Sequence, residues 1–121
     1  MAIRAYCFIR QNGRAPVEEY LKTINDHRQL AAIQSVIEKL MASSGLLPRP
    51  FAAHVEGKIW ELRTRFGNRV FYFIHDGPVI ILLDGYTKKR DRIEAHIIAR
   101  VRRLFMEYIS TQAIKEFKFY E

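Results

Sequence analysis

Three apolar, aromatic-rich segments separated by two turn signals constrain the fold of this chain more than any other feature. They span residues 58–66, 69–75 and 79–86 and are rich in aromatic and β-branched residues. The separators, Gly67-Asn68 and Asp76-Gly77-Pro78, consist of residues that favour turns between strands. The pattern therefore predicts a three-stranded antiparallel meander.

The residues before this meander predict one strand and a pair of helices. Residues 3–10 alternate moderately between two side-chain sets, which indicates a first strand. Pro16 can occupy the first position of a helix, and apolar residues follow it at helical spacing as far as Ile24. A second helical stripe runs over residues 30–41 and should end at residues 43–45, which read Ser-Ser-Gly.

The remaining segments predict a loop, a third helix and a tail whose secondary structure the sequence does not decide. Residues 48–57 contain two prolines and little periodicity, which favours a loop. From Asp91 an apolar stripe returns at helical spacing, opposite Arg92, Arg100 and Arg103. Residues 111–121 are compatible with a helix, a strand or a partner-binding tail.

Together these elements predict the order β-α-α-β-β-β-α. Such an order is typical of an α+β fold with a mostly antiparallel sheet, and we expect the helices to pack on one sheet face. A length of 121 residues suits one domain. We therefore expect a single domain over residues 1–121, with a core at 1–110 and a C-terminal tail at 111–121.

The charge of the chain indicates a polyanionic partner. Twenty Lys and Arg residues outnumber thirteen Asp and Glu residues, for a formal net charge of +7. Nucleic acid, an acidic protein or an anionic membrane surface would each fit this charge. No apolar run approaches the roughly 18 residues of a spanning helix, so we expect no membrane insertion.

Cysteine usage and the first residues of the chain predict a cytoplasmic protein. Cys7 is the only cysteine, which rules out an intrachain disulfide and fits a reducing compartment. Arginines interrupt the apolar residues near the N-terminus, unlike the apolar core of a secretory signal.

Strand alternation divides the side chains of the meander into two faces. The set assigned to the core is Trp60, Leu62, Thr64 and Phe66, and the opposite set is Glu61, Arg63 and Arg65. On the next strand, Arg69 and Tyr72 are further cationic and aromatic candidates. Arginines bind phosphate while rings stack on unpaired bases, so this mixture favours RNA as the partner.

The face on which Arg69 lies depends on the turn that precedes it. A two-residue loop would pair Phe66 with Arg69 and send Arg69 to the core. A three-residue loop would pair Arg65 with Arg69 and place it beside Arg63. We expect the second arrangement, because burial of an unpaired arginine costs more than a bulged turn.

Several kinds of site are not expected. The four histidines, His27, His54, His75 and His96, share no metal-ligand spacing, so we predict no metal site. Gly-rich phosphate-binding motifs and the hydrolase nucleophile motif are missing from the sequence as well, and no cofactor is expected.

Motifs in a specific order resemble the HigB-like, phage-derived branch of the RelE/ParE toxin superfamily. The motifs are Trp60-Glu61-Leu62-Arg63, Arg69-Val70-Phe71-Tyr72-Phe73, Leu82-Leu83-Asp84-Gly85-Tyr86 and Lys88-Lys89, and the helix start Pro16-Val17-Glu18-Glu19-Tyr20-Leu21 is similar too. The resemblance covers residues 3–109. It departs from the family after the double lysine, where the chain reads Arg-Asp-Arg-Ile-Glu.

The resemblance implies a RelE-like fold and the toxin of a type II toxin-antitoxin system. Such a toxin is neutralised by a cognate antitoxin, here expected to be of the helix-turn-helix type, and cleaves messenger RNA at the ribosome without a metal. The residues expected to be catalytic are Arg63, Arg69, Lys89 and His96. Those expected to bind RNA are Arg65, Tyr72, Tyr86, Lys88 and Arg90.

Within this hypothesis, each catalytic residue has a chemical role. Arg63 and Arg69 would clamp phosphate, because guanidinium groups bind phosphate oxygens in pairs. Lys89 would stabilise charge or act as the acid, and His96 and Tyr86 are candidates for the base.

Two alternatives remain open. One is a non-catalytic toxin that inhibits DNA gyrase, as in the ParE branch. The other is a general nucleic-acid-binding module that uses the arginine face of the third helix. Convergence of Arg63, Arg69 and Lys89 on one site would favour the nuclease.

Overall fold

A computed structural model describes residues 3–75, 78–89 and 94–118. The strands are β1 (Ala5–Phe8), β2 (Ala52–Glu56), β3 (Ile59–Arg63), β4 (Asn68–His75), β5 (Val79–Thr87) and β6 (Ile114–Glu116). The helices are α1 (Pro16–Lys22), α2 (His27–Ala42) and α3 (Ala95–Thr111). The fold is α+β, and the predicted meander is formed by β3, β4 and β5.

All six strands join one open sheet in the order β2-β3-β4-β5-β1-β6. Its neighbours run antiparallel except for β1 and β5, which are parallel, with Ala5 opposite Ile80 and Cys7 opposite Leu82. The prediction of a mostly antiparallel sheet is therefore confirmed. The parallel pair requires a long crossover, which α1, α2 and the strands after them provide.

One strand occurs where a loop was predicted, and another decides between the alternatives left open for the C-terminal segment. The segment expected to be a loop contains β2, because its prolines at positions 48 and 50 precede the strand and leave its ladder intact. Ala52 and Ala53 of β2 are buried. In the C-terminal segment of open structure, residues 114–116 form β6 and pair with β1.

The start of α1 and the end of α2 match the predictions, whereas α1 ends at Lys22, before the predicted residues 25 and 26. Pro16 is the first residue of α1, and the Asp26 carboxylate accepts a hydrogen bond of 2.8 Å from the Arg28 backbone N–H at the start of α2. Gly45 follows α2 with a φ of 84°, a conformation that suits glycine. No helix among the described residues is long and apolar enough to cross a membrane.

Helices cover both faces of the sheet, which corrects the prediction that they share one face. The core beneath α1 and α2 includes Cys7, Ile33, Leu40, Leu62, Val70 and Tyr72. The core beneath α3 includes Phe8, Phe71, Phe73, Ile81, Val101, Leu104 and Tyr108. The physical reason lies in β4, whose side chains are apolar in both directions and so require cover on both faces.

The turn between β3 and β4 has neither of the two pairings considered for Arg69. Arg63 lies directly opposite Arg69, and residues 64–67 form the connection. The expected pairing of Arg65 with Arg69 is therefore wrong. Arg63 and Arg69 nevertheless share a face, because residues directly opposite each other on neighbouring strands point to the same side.

An irregularity in β5 changes which of its side chains face α3. Phe71 pairs with Asp84 and Tyr72 with Leu82, so Leu83 is an extra residue. Beyond this bulge, Tyr86 lies opposite Arg69 and therefore on the arginine face of the sheet.

Candidate nucleic-acid interface

A row of three polar side chains crosses the sheet at the end where β3 and β5 finish and β4 begins. Arg63 is opposite Arg69, and Arg69 is opposite Tyr86. Arg63 is partly exposed and Arg69 is 9% exposed. We call these three residues the arginine row.

Glu61 lies on the same face, two residues before Arg63, and is only 1% exposed. It accepts a hydrogen bond of 2.7 Å from Arg63 Nε at its Oε1 atom. The same oxygen lies 3.5 Å from Arg69 Nε. One buried carboxylate thus holds two neighbouring guanidinium groups, which would otherwise repel each other.

The interior of this cluster contains unused hydrogen-bonding capacity. In the described part of the chain, three buried side-chain atoms have no hydrogen-bond partner: Glu61 Oε2, Arg69 Nε and Tyr86 Oη. Arg69 does donate from Nη1 to the Asn68 carbonyl at 3.2 Å. Buried polar atoms are normally paired, and each exception calls for an explanation such as a ligand or a functional role.

Burial also shifts the titration of this cluster. Desolvation lowers the pKa of Arg69, while the neighbouring Glu61 charge opposes that shift. Desolvation raises the pKa of Tyr86, and Glu61 and then Glu94 act in the same direction despite an opposing effect of Arg69. The raised pKa favours the protonated form of the Tyr86 hydroxyl. The charge of Glu94, the residue just before α3, contributes to this shift.

Packing fixes the position of the row from both sides. The Tyr86 ring stacks on Phe71 with ring centres 5.9 Å apart and planes 9° from parallel. Next to Arg69, the Asn68 amide donates to Tyr20 Oη and to Gln29 Oε1, each at 3.0 Å. This network joins the start of β4 to α1 and α2.

An additional ion pair borders the row. Arg100 of α3 contacts the Asp84 carboxylate at 2.8 Å, and Asp84 is 5% exposed. Burial raises the pKa of Asp84, and Arg100 lowers it in opposition. Arg100 is thus paired with a buried acid of the sheet, and its side chain remains 49% exposed.

One known protein family matches this chain. A family model described as "Phage derived protein Gp49-like (DUF891)" matches residues 19–106, which is most of the chain. The chain belongs to the phage-derived Gp49-like family. It is a RelE-like, toxin-like family, so a toxin-antitoxin role and an antitoxin partner are consistent with membership. A search of curated proteins found no match.

The structure of this Gp49-like protein brings together two of the four residues expected to be catalytic. Arg63 and Arg69 come together in the row. Lys89 is exposed and follows Lys88, whose backbone N–H donates to the Gly67 carbonyl at 2.7 Å and so ties this segment to the β3–β4 turn. His96 lies in the first turn of α3, with Nδ1 3.3 Å from Glu94 Oε2.

The expected RNA-binding residues also divide. Tyr86 belongs to the row, and Arg65 is exposed in the β3–β4 turn. Tyr72 is 2% exposed in the core beneath α1 and α2, which puts it out of reach of RNA and corrects that prediction. The physical reason is the alternation of β4, which points Tyr72 away from Arg69. Arg90 lies outside the described residues.

Two features of the Gp49-like site were missed by reasoning from sequence. Glu61 was placed on the arginine face without a role, although its position two residues before Arg63 was a usable signal. The Tyr20 and Asn68 contact joins residues that are far apart in sequence, and no local pattern indicates it. Among the described residues, no group of three or more His, Cys, Asp or Glu side chains could hold a metal ion.

Proposed function

We propose that this Gp49-like protein is the HigB-like toxin of a type II toxin-antitoxin system that cleaves messenger RNA at the ribosome, in the cytoplasm. Membership of a toxin-like family supports the role. The observation that carries the nuclease proposal is the arginine row, in which Arg63 and Arg69 lie side by side against one buried carboxylate.

In this proposal the RNA cleaves itself with help from the protein and without a metal. The ribose 2′-oxygen attacks the adjacent phosphorus, and the bond from phosphorus to the 5′-oxygen breaks. The products are a 2′,3′-cyclic phosphate and a 5′-hydroxyl. Arg63 and Arg69 stabilise the charge that builds up on the phosphate oxygens, which is the largest contribution expected from preorganised donors. Glu61 positions both guanidinium groups.

The proposal assigns proton transfer to two exposed groups, Lys89 and His96. His96 accepts the 2′-hydroxyl proton at Nε2, because its Nδ1–H can donate to Glu94 and so fix the tautomer. Lys89 donates a proton to the departing 5′-oxygen. Lys88 and Arg65 bind flanking phosphates. The cognate partner is an antitoxin of the helix-turn-helix type.

The test is controlled expression of the protein followed by primer-extension mapping of transcripts. Wild type should arrest growth and cut messenger RNA, whereas Arg69→Gln and Lys89→Ala should not cut it. Arg103→Gln, which changes an exposed cation on α3, is the matched control. With purified protein and ribosomes translating a defined messenger RNA, loss of one charge-stabilising donor should slow cleavage by about 10²–10³-fold.

The ends of the RNA fragments decide the chemistry. A 2′,3′-cyclic phosphate supports attack by the 2′-hydroxyl, and a 3′-hydroxyl contradicts it. Growth arrest with intact transcripts would overturn the nuclease proposal in favour of a non-catalytic toxin such as a gyrase inhibitor. Thermal unfolding of Arg69→Gln shows whether the variant remains folded, and Arg63→Gln, at a partly exposed position, provides an independent measurement.

A further inference from the structure

A second cationic surface lies beside the arginine row, between α2 and the end of β3. It is a groove of about 240 Å³ lined by Ala32, Ser35, Val36, Lys39, Phe51, Arg63, Thr64 and Arg65. We call it the α2 groove. Arg63 belongs to the row and also lines this groove, so the two surfaces share one residue at the end of β3, although α2 covers the sheet face opposite to that of the row.

Charge and ring contacts give the α2 groove a specific chemistry. Three of its described lining residues are cations and none is an acid. Lys39 Nζ lies 4.7 Å from the centre of the Phe51 ring, and Phe51 is 38% exposed. At the mouth, the Arg65 guanidinium lies 4.8 Å from the Phe66 ring centre.

A fourth cation, Arg28, extends the same surface along α2 and forms an ion pair with Asp26 at 3.2 Å. The Arg28 guanidinium lies 5.8 Å from the Phe66 ring centre, on the same helix as Lys39. Rings that contact cations restrict the motion of those side chains before any ligand arrives, which lowers the ordering cost of binding.

We infer that the α2 groove binds the single-stranded RNA next to the cleaved bond, with phosphates on Lys39 and Arg65 and a base stacked on Phe51. The inference rests on the proposed function, since it extends the same RNA beyond the arginine row. An exposed ring beside convergent cations is the combination that single-stranded nucleic acid uses, because each base offers a flat face and each linkage a negative charge. A partner bound through charge alone would not require the exposed ring of Phe51.

The test measures the affinity of 2′-O-methyl RNA, which cannot undergo 2′-hydroxyl attack, by fluorescence anisotropy over a range of salt concentrations. The probes are labelled oligouridylates of about three and about ten nucleotides, lengths chosen below and within the usual site size. The variants are Phe51→Ala and the double change Lys39→Gln with Arg65→Gln. Arg103→Gln is the matched control, and circular dichroism and thermal unfolding verify folding.

For the longer probe, Phe51→Ala should raise the Kd about tenfold, the loss expected for one stacked base. The double variant should lower the dependence of log Kd on log salt by about 1.4, or about 0.7 for each phosphate contact on a single strand. The short probe should be almost unaffected by either change. Arg103→Gln should leave the Kd of both probes within about twofold of wild type, as a change outside the groove should.

Several outcomes would overturn the inference. They are an equal loss in Arg103→Gln, an unchanged Kd in Phe51→Ala, and displacement of the probe by poly-L-glutamate at the same charge concentration as by RNA. The last result would assign the groove to an acidic protein.

The two proposals fail separately. If wild type leaves messenger RNA on translating ribosomes intact while the groove variants weaken binding of the longer probe, the nuclease proposal fails and the groove stands. If wild type cleaves messenger RNA and Phe51→Ala cleaves it equally well at RNA concentrations below the KM, the groove fails and the nuclease stands.

Discussion

The two ends of the sheet face beneath α3 differ in how completely their side chains are matched. At one end the aromatic rings of Phe73, Phe105 and Tyr108 meet edge to face, with centres 4.9 and 5.2 Å apart. At the other end, Glu61 and Arg69 are buried with polar atoms that have no partner. Both ends share β4. One strand therefore joins a fully packed aromatic core to a site whose buried polar atoms lack hydrogen-bond partners.

The difference indicates that the two ends of β4 have different roles, one in stability and the other in the site. Interlocking rings stabilise the sheet and fix the strand that carries Arg69, while the polar end keeps donors and an acceptor available. A site held by a well-packed neighbouring region keeps its geometry even when its own contacts are incomplete. If this division is correct, changes at the two ends should separate stability from activity.

The largest effect on stability should come from Phe73→Ala at the apolar end. Removal of a buried ring that contacts three others should cost about 4 kcal/mol of unfolding free energy. Urea denaturation measures this loss, and Phe73→Leu should show a smaller one. RNA cleavage per folded molecule should stay close to wild type, and a large loss of cleavage in the folded variant would break the comparison.

Glu61→Gln at the polar end should reduce both stability and activity. Loss of the buried carboxylate leaves Arg63 and Arg69 without their shared partner, at a cost of about 3 kcal/mol. RNA should bind at least as tightly, because a negative charge is gone, while kcat falls as the guanidinium groups lose their positions. Glu107→Gln, which alters an exposed pair with Arg10, should cost at most about 1 kcal/mol.

Cleavage kinetics and salt-dependent binding distinguish the two effects of Glu61→Gln. A variant with weaker RNA binding and an unchanged kcat would contradict the positioning role of Glu61.

The opposite sheet face offers a pH test of burial. Desolvation raises the pKa of Tyr72 to about 12 and that of Cys7, in the same core, to about 12. Because the folded state favours the neutral phenol, its contribution is complete below pH 10 and is lost as pH rises from about 10 to about 12. The loss should be roughly 3 kcal/mol for Tyr72.

Chemical denaturation at increasing pH measures this loss. Tyr72→Phe should flatten the fall in stability above pH 10, and addition of Cys7→Ala should flatten it further from pH 9 upward. An unchanged slope in Tyr72→Phe would show that the alkaline loss arises elsewhere.

The smallest effect distinguishes two tyrosine hydroxyls. Tyr86→Phe removes a buried hydroxyl without a partner and retains the stacking on Phe71, so stability should rise by about 1 kcal/mol. Tyr20→Phe should have the opposite sign and cost about 1 kcal/mol, because its hydroxyl hydrogen-bonds Asn68 and Thr87. Equal changes in the thermal unfolding temperature of the two variants would contradict the absence of a hydrogen-bond partner for the Tyr86 hydroxyl.

Local sequence patterns were sufficient to predict most elements of this fold. Aromatic and β-branched runs located β3, β4 and β5, and helical periodicity located α2 and α3. The same β4 run, Val70 to Ile74, is continuously apolar, and it already carried the signal for helices on both faces. The β2 strand was missed because prolines just before it resemble a loop.

The site was harder to predict because it depends on register and on distant contacts. Strict alternation from Leu82 puts Tyr86 on the face opposite Arg69, and only the extra residue Leu83 reverses this. Arg69 was expected to be exposed because an unpaired buried arginine is costly. Its actual burial is tolerated because Glu61 lies 3.5 Å away, a distance that no sequence pattern provides.

The pairing of β1 has a consequence for how a newly made chain matures. Residues 5–8 lie between residues 80–82 and 114–116. This strand can therefore pair on both of its edges only after almost the whole described chain has been synthesised. The strands that carry the arginine row are neighbours in sequence and can associate early, whereas contacts between distant segments form slowly. Closure of the sheet around β1 should therefore be the late step in biogenesis, and until then the exposed edge of β5 is open to wrong partners.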